Sequence, residues 1–409
     1  NPYRLEKLEL DKDSLPIYND IQQALTQTEI KPGNRFDLQL MKFERERIDR
    51  SLKQSGYYNF NPDFLIFEAD TNRYDNRKFD LFLRLKQNIP EKAVLPYVID
   101  SITVYPNYSI ENDTRSNPSE AKTVNGLNFL QEEEYFKPEK LEPYILLRKG
   151  QYYNAETARL TSNRLSALGS YKFVNIRFNE TDTTLVDGHR SLNADIFLSP
   201  LTKRSIRTEL QAVTKSNGFA GPGIATTYSN RNLFKGGETL SVTANFAYET
   251  QLSGSKNSGP SSIAGGLRTE LTVPRLLPFS PKRFKYAVPK TKMSLGADIL
   301  KRSKLYTLNS FNSTFGYTWQ SNRFVYHELN PISLVYVNLS NTTDEFEAIL
   351  DNNPFLSRSF EQQFIAGLNY TFTYNELVDE NKTRPFFFST SLDMAGNTLS
   401  LFDGGKIAV

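Results

Sequence analysis

The sequence predicts two α+β modules of β-α-α-β-β plan, followed by an antiparallel transmembrane β-barrel of which this chain carries the N-terminal strands. Three observations predict it. The first 200 residues contain an internal repeat. From Leu201 onward, period-2 alternating runs recur at lengths that suit a bilayer crossing. The composition combines many aromatics, 29 Phe and 22 Tyr, with a low mean hydropathy of −0.50.

The composition also bounds function. At 409 residues the chain is long enough for two to four domains. It has no cysteine, so disulfides, thiolate metal sites and cysteine nucleophiles are ruled out. Lys and Arg number 49 against 46 Asp and Glu, a net charge of +3, so no global field favours nucleic acid. No run approaches 18 apolar residues, so no transmembrane helix is predicted. A barrel reconciles aromatics with low hydropathy: half of each strand faces a polar lumen, and rings gather at the two interfaces. The sequence opens at Asn1 without the basic segment and apolar run of a signal peptide, as expected of a mature or trimmed chain.

The first module spans 1–92. In PGNRFDLQLMKFERERIDRSLKQSG, Phe36, Leu40, Phe43, Ile48 and Leu52 recur at roughly helical spacing, with Asp37 as N-cap and Gly56 as the stop. Strands are predicted in YYNFNPDFLIFEAD and KFDLFLRLKQ, joined by the polar loop NRYDNRK. The opening strand is expected to be incomplete, which would place further copies upstream. The second module spans 93–200: strand YVIDSITVYP, a polar insertion near 111–128, helices over Pro138 to Ile145 and Ala155 to Leu168, and strands KFVNIRFNE and LNADIFLSP. Gly33, Phe36, Leu52 and Gly56 of the first copy correspond to Gly150, Tyr153, Leu165 and Gly169 of the second. The glycine-to-glycine intervals are 23 and 19 residues, a difference close to one helical turn.

Barrel strands occupy 201–409. In KGGETLSVTANFAYETQLS, Leu240, Val242, Ala244, Phe246 and Tyr248 alternate with Ser241, Thr243, Asn245 and Glu249. A soluble sandwich strand alternates in the same way; length separates the two readings. About ten tilted residues cross a bilayer, whereas soluble strands average about five or six. Nine candidate strands follow from Lys203, and Phe311, Phe315, Tyr317 and Trp319 share one face of the sixth. Lys215 to Gly223, Ser253 to Ser262, Lys301 to Tyr306 and Asn341 to Ser357 are read as loops on the outer side. Lys235 to Gly237 and Gln320 to Arg323 are turns on the inner side, as is the long basic segment Pro274 to Lys292. That segment carries Lys282, Arg283, Lys285, Lys290 and Lys292, read as a solvated turn. Nine is odd, and single-chain bacterial barrels close with an even number of strands, so later strands are expected beyond Val409.

A strand leading straight out of a soluble module, a strand ending in RNLFKGGE and a strand opening with ETLSV resemble the start of the barrel in the BamA/TamA superfamily. Asn232, Leu233, Phe234, Gly236 and Gly237 match that family's second turn, where glycines supply the positive φ that a short hairpin needs. GQYYNAETARLTSNRLSALGSYKFVNIRF resembles the most characteristic part of its POTRA module. The family's Arg-Gly-Phe type loop motif is not found in the chain. The resemblance implies a bacterial outer-membrane location with the N-terminal modules in the periplasm. It also implies unfolded outer-membrane protein clients, accessory outer-membrane or periplasmic subunits, and no cofactor.

Candidate working residues lie on two strand edges. The first barrel strand carries Arg204, Ile206, Thr208, Leu210 and Ala212, and is poor in bulky aromatics. Its alternation fits a closed-barrel strand as well as a gate; the resemblance favours a gate whose edge pairs with an incoming client strand. The second edge is Phe173 to Phe178, with Phe173, Asn175, Ile176 and Arg177; its side chains suit simple coverage of the helices, and its backbone stays open to a partner strand. Asn232, Gly236 and Gly237 are structural turn residues, and Gly221-Pro222-Gly223 also reads as a turn. No enzyme is expected: GxSxG, P-loop and HExxH patterns are missing, and His189 and His327 stand apart from any second ligand at a metal spacing. The alternative function is a dedicated two-partner-type secretion transporter or pore for one cognate client.

Overall fold

The computed structural model describes residues 2–74, 77–109, 121–181, 188–215, 218–251, 261–278, 287–379 and 382–395. The chain divides into two compact units. One comprises Asn1–Glu133, Ile145–Asn163 and Phe173–Leu198, the other Glu134–Tyr144, Arg164–Lys172 and Ser199–Val409.

In the first unit, strand β1 (Arg4–Leu10) pairs in parallel with β3 (Lys78–Leu85), and β3 pairs antiparallel with β2 (Leu65–Asp70). The opening strand of the module is β1, seven residues long. RLEKLEL hides it by placing charges between its leucines, of which Leu5 is buried. Helices α1 (Ile17–Leu25) and α2 (Leu38–Gln54) cover the sheet, and Ile17, Ile21, Ile48, Leu52, Leu65 and Leu83 form a fully buried core. Asp37 caps α2, its side chain accepting from the amides of Gln39 and Leu40. Asp37→Ala is expected to cost about 1 kcal/mol, read as a lowered unfolding midpoint of a module whose buried face is otherwise intact.

Two expectations for this module need correction. Phe36 and Phe43 are exposed, and the face α2 buries is Met41, Glu44, Ile48, Asp49 and Leu52. Glu44 is admitted because Arg47 chelates it at 2.7 and 2.8 Å. Residues 57–64 are not strand either; Asn61 caps a 3-10 turn over Pro62–Phe64, and β2 begins after it.

The second module adds β4 (Tyr97–Tyr105), β5 (Lys122–Val124), β6 (Leu127–Phe129), β7 (Tyr171–Glu180) and β8 (Arg190–Pro200), ordered β5-β6-β4-β8-β7. Helices α3 (Pro138–Leu141) and α4 (Ala155–Ala167) come between β6 and β7. The expected insertion near 111–128 is partly outside the described residues. Its described end is a hairpin, closed by Asn125 and Gly126, both at positive φ. Within the first unit, Asn59 donates to the Tyr97 hydroxyl at 2.7 Å and to Glu180 at 3.0 Å, while Tyr58 packs edge-on against Tyr153.

In the second unit, nine strands follow in order: β9 (Arg204–Thr214), β10 (Phe219–Arg231), β11 (Thr239–Gln251), β12 (Ser261–Val273), β13 (Lys290–Arg302), β14 (Tyr306–Gln320), β15 (Val325–Ser340), β16 (Gln363–Asn375) and β17 (Phe387–Ala395). Each pairs antiparallel with its sequence neighbour. Register sorts the side chains by face. The row Leu210, Ile224, Phe246 and the row Phe311, Tyr336, Phe364 are apolar. On the other face Thr227 meets Thr243 at 2.9 Å and Ser294 bonds Thr314. An apolar, solvent-exposed face opposite a hydrogen-bonded polar face is the inversion expected of a barrel wall. Among the described residues no helix is long and apolar enough to cross a membrane.

The loops depart from expectation in three places. Gly221-Pro222-Gly223 lies inside β10, not in a turn. A Cβ on Gly221 would fall 1.8 Å from the Tyr248 carbonyl oxygen, so the backbones approach too closely for any side chain. The segment 341–357 carries helix α5 (Asp344–Asp351) and the start of α6 (Pro354–Ser359). Lys290 and Lys292 belong to β13, while Lys282, Arg283 and Lys285 lie outside the described residues, as does most of 253–262. In β15, Pro331 sits at a bulge where one extra residue is accommodated against both neighbours, the position a residue without an amide proton tolerates.

Candidate functional site

Strand β9 is the first edge of the nine-stranded sheet; among the described residues it pairs only with β10. Arg204, Ile206, Thr208, Leu210 and Ala212 share one face, opposite Asn230, Tyr228, Thr226, Ile224 and Pro222. All five are exposed, Ile206 at 72% and Leu210 at 83%. Thr208 and Thr226 hydroxyls meet at 3.2 Å across the pair, and Arg207 and Glu209 form an ion pair at 2.7 Å on the polar face. Among the described residues one row of amides and carbonyls of β9 faces β10 and the other faces the margin of the sheet, where a further strand would pair.

Strand β7 is likewise the edge of its sheet, next to β8. Phe173, Asn175 and Arg177 are exposed on one face, Phe173 at 62%, while Val174, Ile176 and Phe178 are half-buried on the other. The Arg177 guanidinium lies 5.1 Å from the centre of the Phe197 ring.

The best-built polar constellation surrounds the β10–β11 turn, Asn232 to Glu238, against residues 134–144 and 164–172 of the same unit. Asn232, Lys235 and Gly237 all have positive φ. Asn232 is 1% exposed; its side-chain oxygen accepts from the Gly237 amide at 2.9 Å and its nitrogen donates to the Tyr135 carbonyl at 2.7 Å. The Lys137 amide donates to the Lys235 carbonyl at 2.9 Å. Glu238, also 1% exposed, takes Arg275 at 2.6 Å and Lys140 at 3.2 Å on one oxygen and the Gly236 amide at 2.9 Å on the other. Burial pushes the Glu238 carboxyl up, but Arg275, the residue's own amide and Lys140 outweigh it and hold the group below its ordinary range. Tyr144 bonds the Pro274 carbonyl, and burial pushes its phenol up to about 12.

The turn's expected residues, Asn232, Gly236 and Gly237, thus come together with partners that sequence reasoning missed: Glu238, Arg275, Lys140 and Tyr144. Glu238 stands directly after the two glycines, but Arg275 and Lys140 lie 37 and 98 residues from it. His327, read as structural, stacks on Trp319 with centroids 4.8 Å apart. Its ring nitrogens sit 2.8 Å from the Ser321 and Tyr370 hydroxyls.

Paired α+β modules leading into an antiparallel sheet, apolar on one face and polar on the other, define POTRA-type modules followed by a partial β-barrel, the fold of the Omp85/BamA–TamA type. Among solved structures, the chain is similar to BamA from Haemophilus ducreyi lacking POTRA domains 1–3, with 13% identity and a TM-score of 0.51. That match covers 96% of this chain, which spans 64% of the length of that BamA. CdiB from Escherichia coli also matches, at 10% identity and a TM-score of 0.35 over 97% of this chain and 68% of that one. CdiB from Acinetobacter baumannii gives 9% and 0.31, over 100% and 70%. No protein-family model and no curated protein matches the sequence.

Proposed function

We propose that the protein assembles, inserts or translocates other proteins at a bacterial outer membrane, with its N-terminal modules in the periplasm. The observation that carries this reading is the character of β9, the first strand of the sheet, whose outward face carries Ile206 and Leu210 and no ring. In hydrocarbon an unpaired backbone amide or carbonyl costs several kcal/mol, so whenever the 11 residues of β9 part from a barrel neighbour they have a strong drive to capture another strand. β9 offers Ile, Thr, Leu and Ala and no ring on that face, so a strand beside it packs lightly and is released when its own neighbours arrive. No bond is made or broken, so the reading calls for neither catalytic residue nor cofactor. The likeness to BamA supports the fold on which such an edge is displayed.

Photo-crosslinking in cells from position 210 of the intact protein tests the proposal, with a probe at position 176 on the β7 edge for comparison. A ladder of unrelated barrel proteins at 210 is the expected result. One discrete product would instead indicate a transporter dedicated to a single client, and the absence of any protein product would remove β9 as the working edge.

A further inference from the structure

The β9–β10, β13–β14 and β15–β16 connections lie at one end of the nine-stranded sheet, and a line of side chains on its polar face joins all three. Glu249, Ser262, Arg302 and Tyr306 stand opposite one another in register from β11 to β14. On one side the Arg302 guanidinium lies 5.3 Å from the ring centre of Phe219, buried at the start of β10; Ser262, the smallest member of the row, leaves room for that reach. On the other side it lies 5.8 Å from the Tyr306 ring. Tyr306 in turn packs against Phe346 of α5 and Phe360 just after α6, with ring centres 4.8 and 5.0 Å away. The start of α5 is fixed to the same place. Thr343 donates its amide to the Leu305 carbonyl at 3.1 Å and its hydroxyl to the Lys304 carbonyl at 3.0 Å.

The first hairpin depends on this line because its backbone ties are thin there. Pairing of β10 with β11 lapses at Gly221 and Pro222, between the pairs Ala220–Thr250 and Gly223–Ala247, and Pro222 has no amide proton to donate. Beyond that gap the hairpin tip is held to the sheet by side chains: the Lys215–Glu249 ion pair at 2.7 Å, and Phe219 against Arg302. Arg302 itself is held by rings. Glu249, the acid of the row, is taken by Lys215, and the buried Nε of Arg302 makes no hydrogen bond. An arginine paired with a carboxylate keeps its place when a neighbouring ring moves, whereas one held between two rings depends on both.

We propose that Arg302 is a positioning residue for β9: Phe219, Arg302, Tyr306 and Phe346 form a latch through which α5 holds the tip of the β9–β10 hairpin, and release of α5 loosens β9 at that end. Phe346 and Phe360 keep Tyr306 in place, Tyr306 walls one side of Arg302, and Arg302 carries the restraint to Phe219, five strands from the strand that leads into α5. The consequence for clients rests on β9 being the strand that takes them up; the latch itself does not.

Hydrogen exchange of the intact protein in phospholipid nanodiscs, read by mass spectrometry, tests the latch. Phe346→Ala is expected to speed exchange in α5 and also over 209–224 by about five- to thirty-fold, the size of one lost aromatic or cation–π contact, with 231–238 at the far end of β10 unchanged. Arg302→Met, which keeps the length and removes the charge, should speed 209–224 alike while α5 stays protected. The double variant should loosen the hairpin no more than the larger single one does. Phe346→Leu should show the pattern of Phe346→Ala at smaller size, which keeps the latch readable where the alanine variant does not fold. Exchange that rises in α5 but not over 209–224, rises equally over 231–238, or adds up in the double variant would overturn the proposal. Crosslinking from position 210 reads the other half: its yield should rise in Phe346→Ala. An intact protein that gives no crosslinks at 210 but shows the coupled exchange would remove β9 as the working strand and leave the latch standing.

Discussion

Glu238→Ala is expected to open the β10–β11 turn by about 2–4 kcal/mol. The substitution removes the one carboxylate that Arg275, Lys140 and the Gly236 amide converge on. Orphaning buried charges costs about 3–5 kcal/mol; the lower range reflects cations that retain solvent, Arg275 at 24% and Lys140 at 31% exposure. Hydrogen exchange at the amides of Leu233, Gly236 and Gly237 reads this directly, as an acceleration of about 30- to 1,000-fold at a tenfold change per 1.4 kcal/mol. Unchanged exchange would show that the cluster does not hold the turn. The same amides should respond to acid. Because the folded state holds the Glu238 carboxyl below its ordinary value of 4.5, its stabilisation is complete above that value and is lost as pH falls through the lower folded one. Protection of these amides should therefore be flat at neutral pH, fall in the acid range, and lose that dependence in the Glu238→Ala protein.

Gly237→Ala should cost about 2–5 kcal/mol, from two separable sources. At φ +82 a Cβ adds about 1–2 kcal/mol of backbone strain. That Cβ would also stand 3.0 Å from Pro274 Cγ, 3.4 Å from Phe136 Cζ and 3.5 Å from Leu168 Cδ2, in a closed apolar contact where overpacking costs about 1–3 kcal/mol. Gly33→Ala separates the two. Its φ is +90 but nothing lies within 4 Å of the added carbon, so it should show the strain alone. Equal local destabilisation at the two sites would mean that the packing around Gly237 yields without cost.

Much of the architecture was legible because it rests on periodicity. All nine sheet strands were anticipated, since a strand with one apolar and one polar face writes that alternation into the sequence over 9–16 residues. Asp37 was recognisable as a cap because capping is local chemistry. Other local signals were present and passed over: Ile17, Ile21 and Ala24 at helical spacing in α1, and Asn125-Gly126 between β5 and β6. Phe36 and Phe43 misled because helical spacing identifies apolar residues but not which of them face the sheet. Gly221-Pro222-Gly223 misled for a different reason. Glycine and proline signal a turn unless a neighbouring backbone, here at Tyr248, demands the missing side chain.

By itself the sequence determined the order of the strands and the turn residues Asn232, Gly236 and Gly237, because each depends on neighbours within a few positions along the chain. Only the tertiary structure decided what those residues meet. The gathering of Lys140 and Arg275 on Glu238, the closure of Phe136 and Leu168 over Gly237, and the packing of Phe346 against Tyr306 are contacts across strands and helices. Register and packing set them, and register between distant segments leaves no trace in the sequence of either one alone.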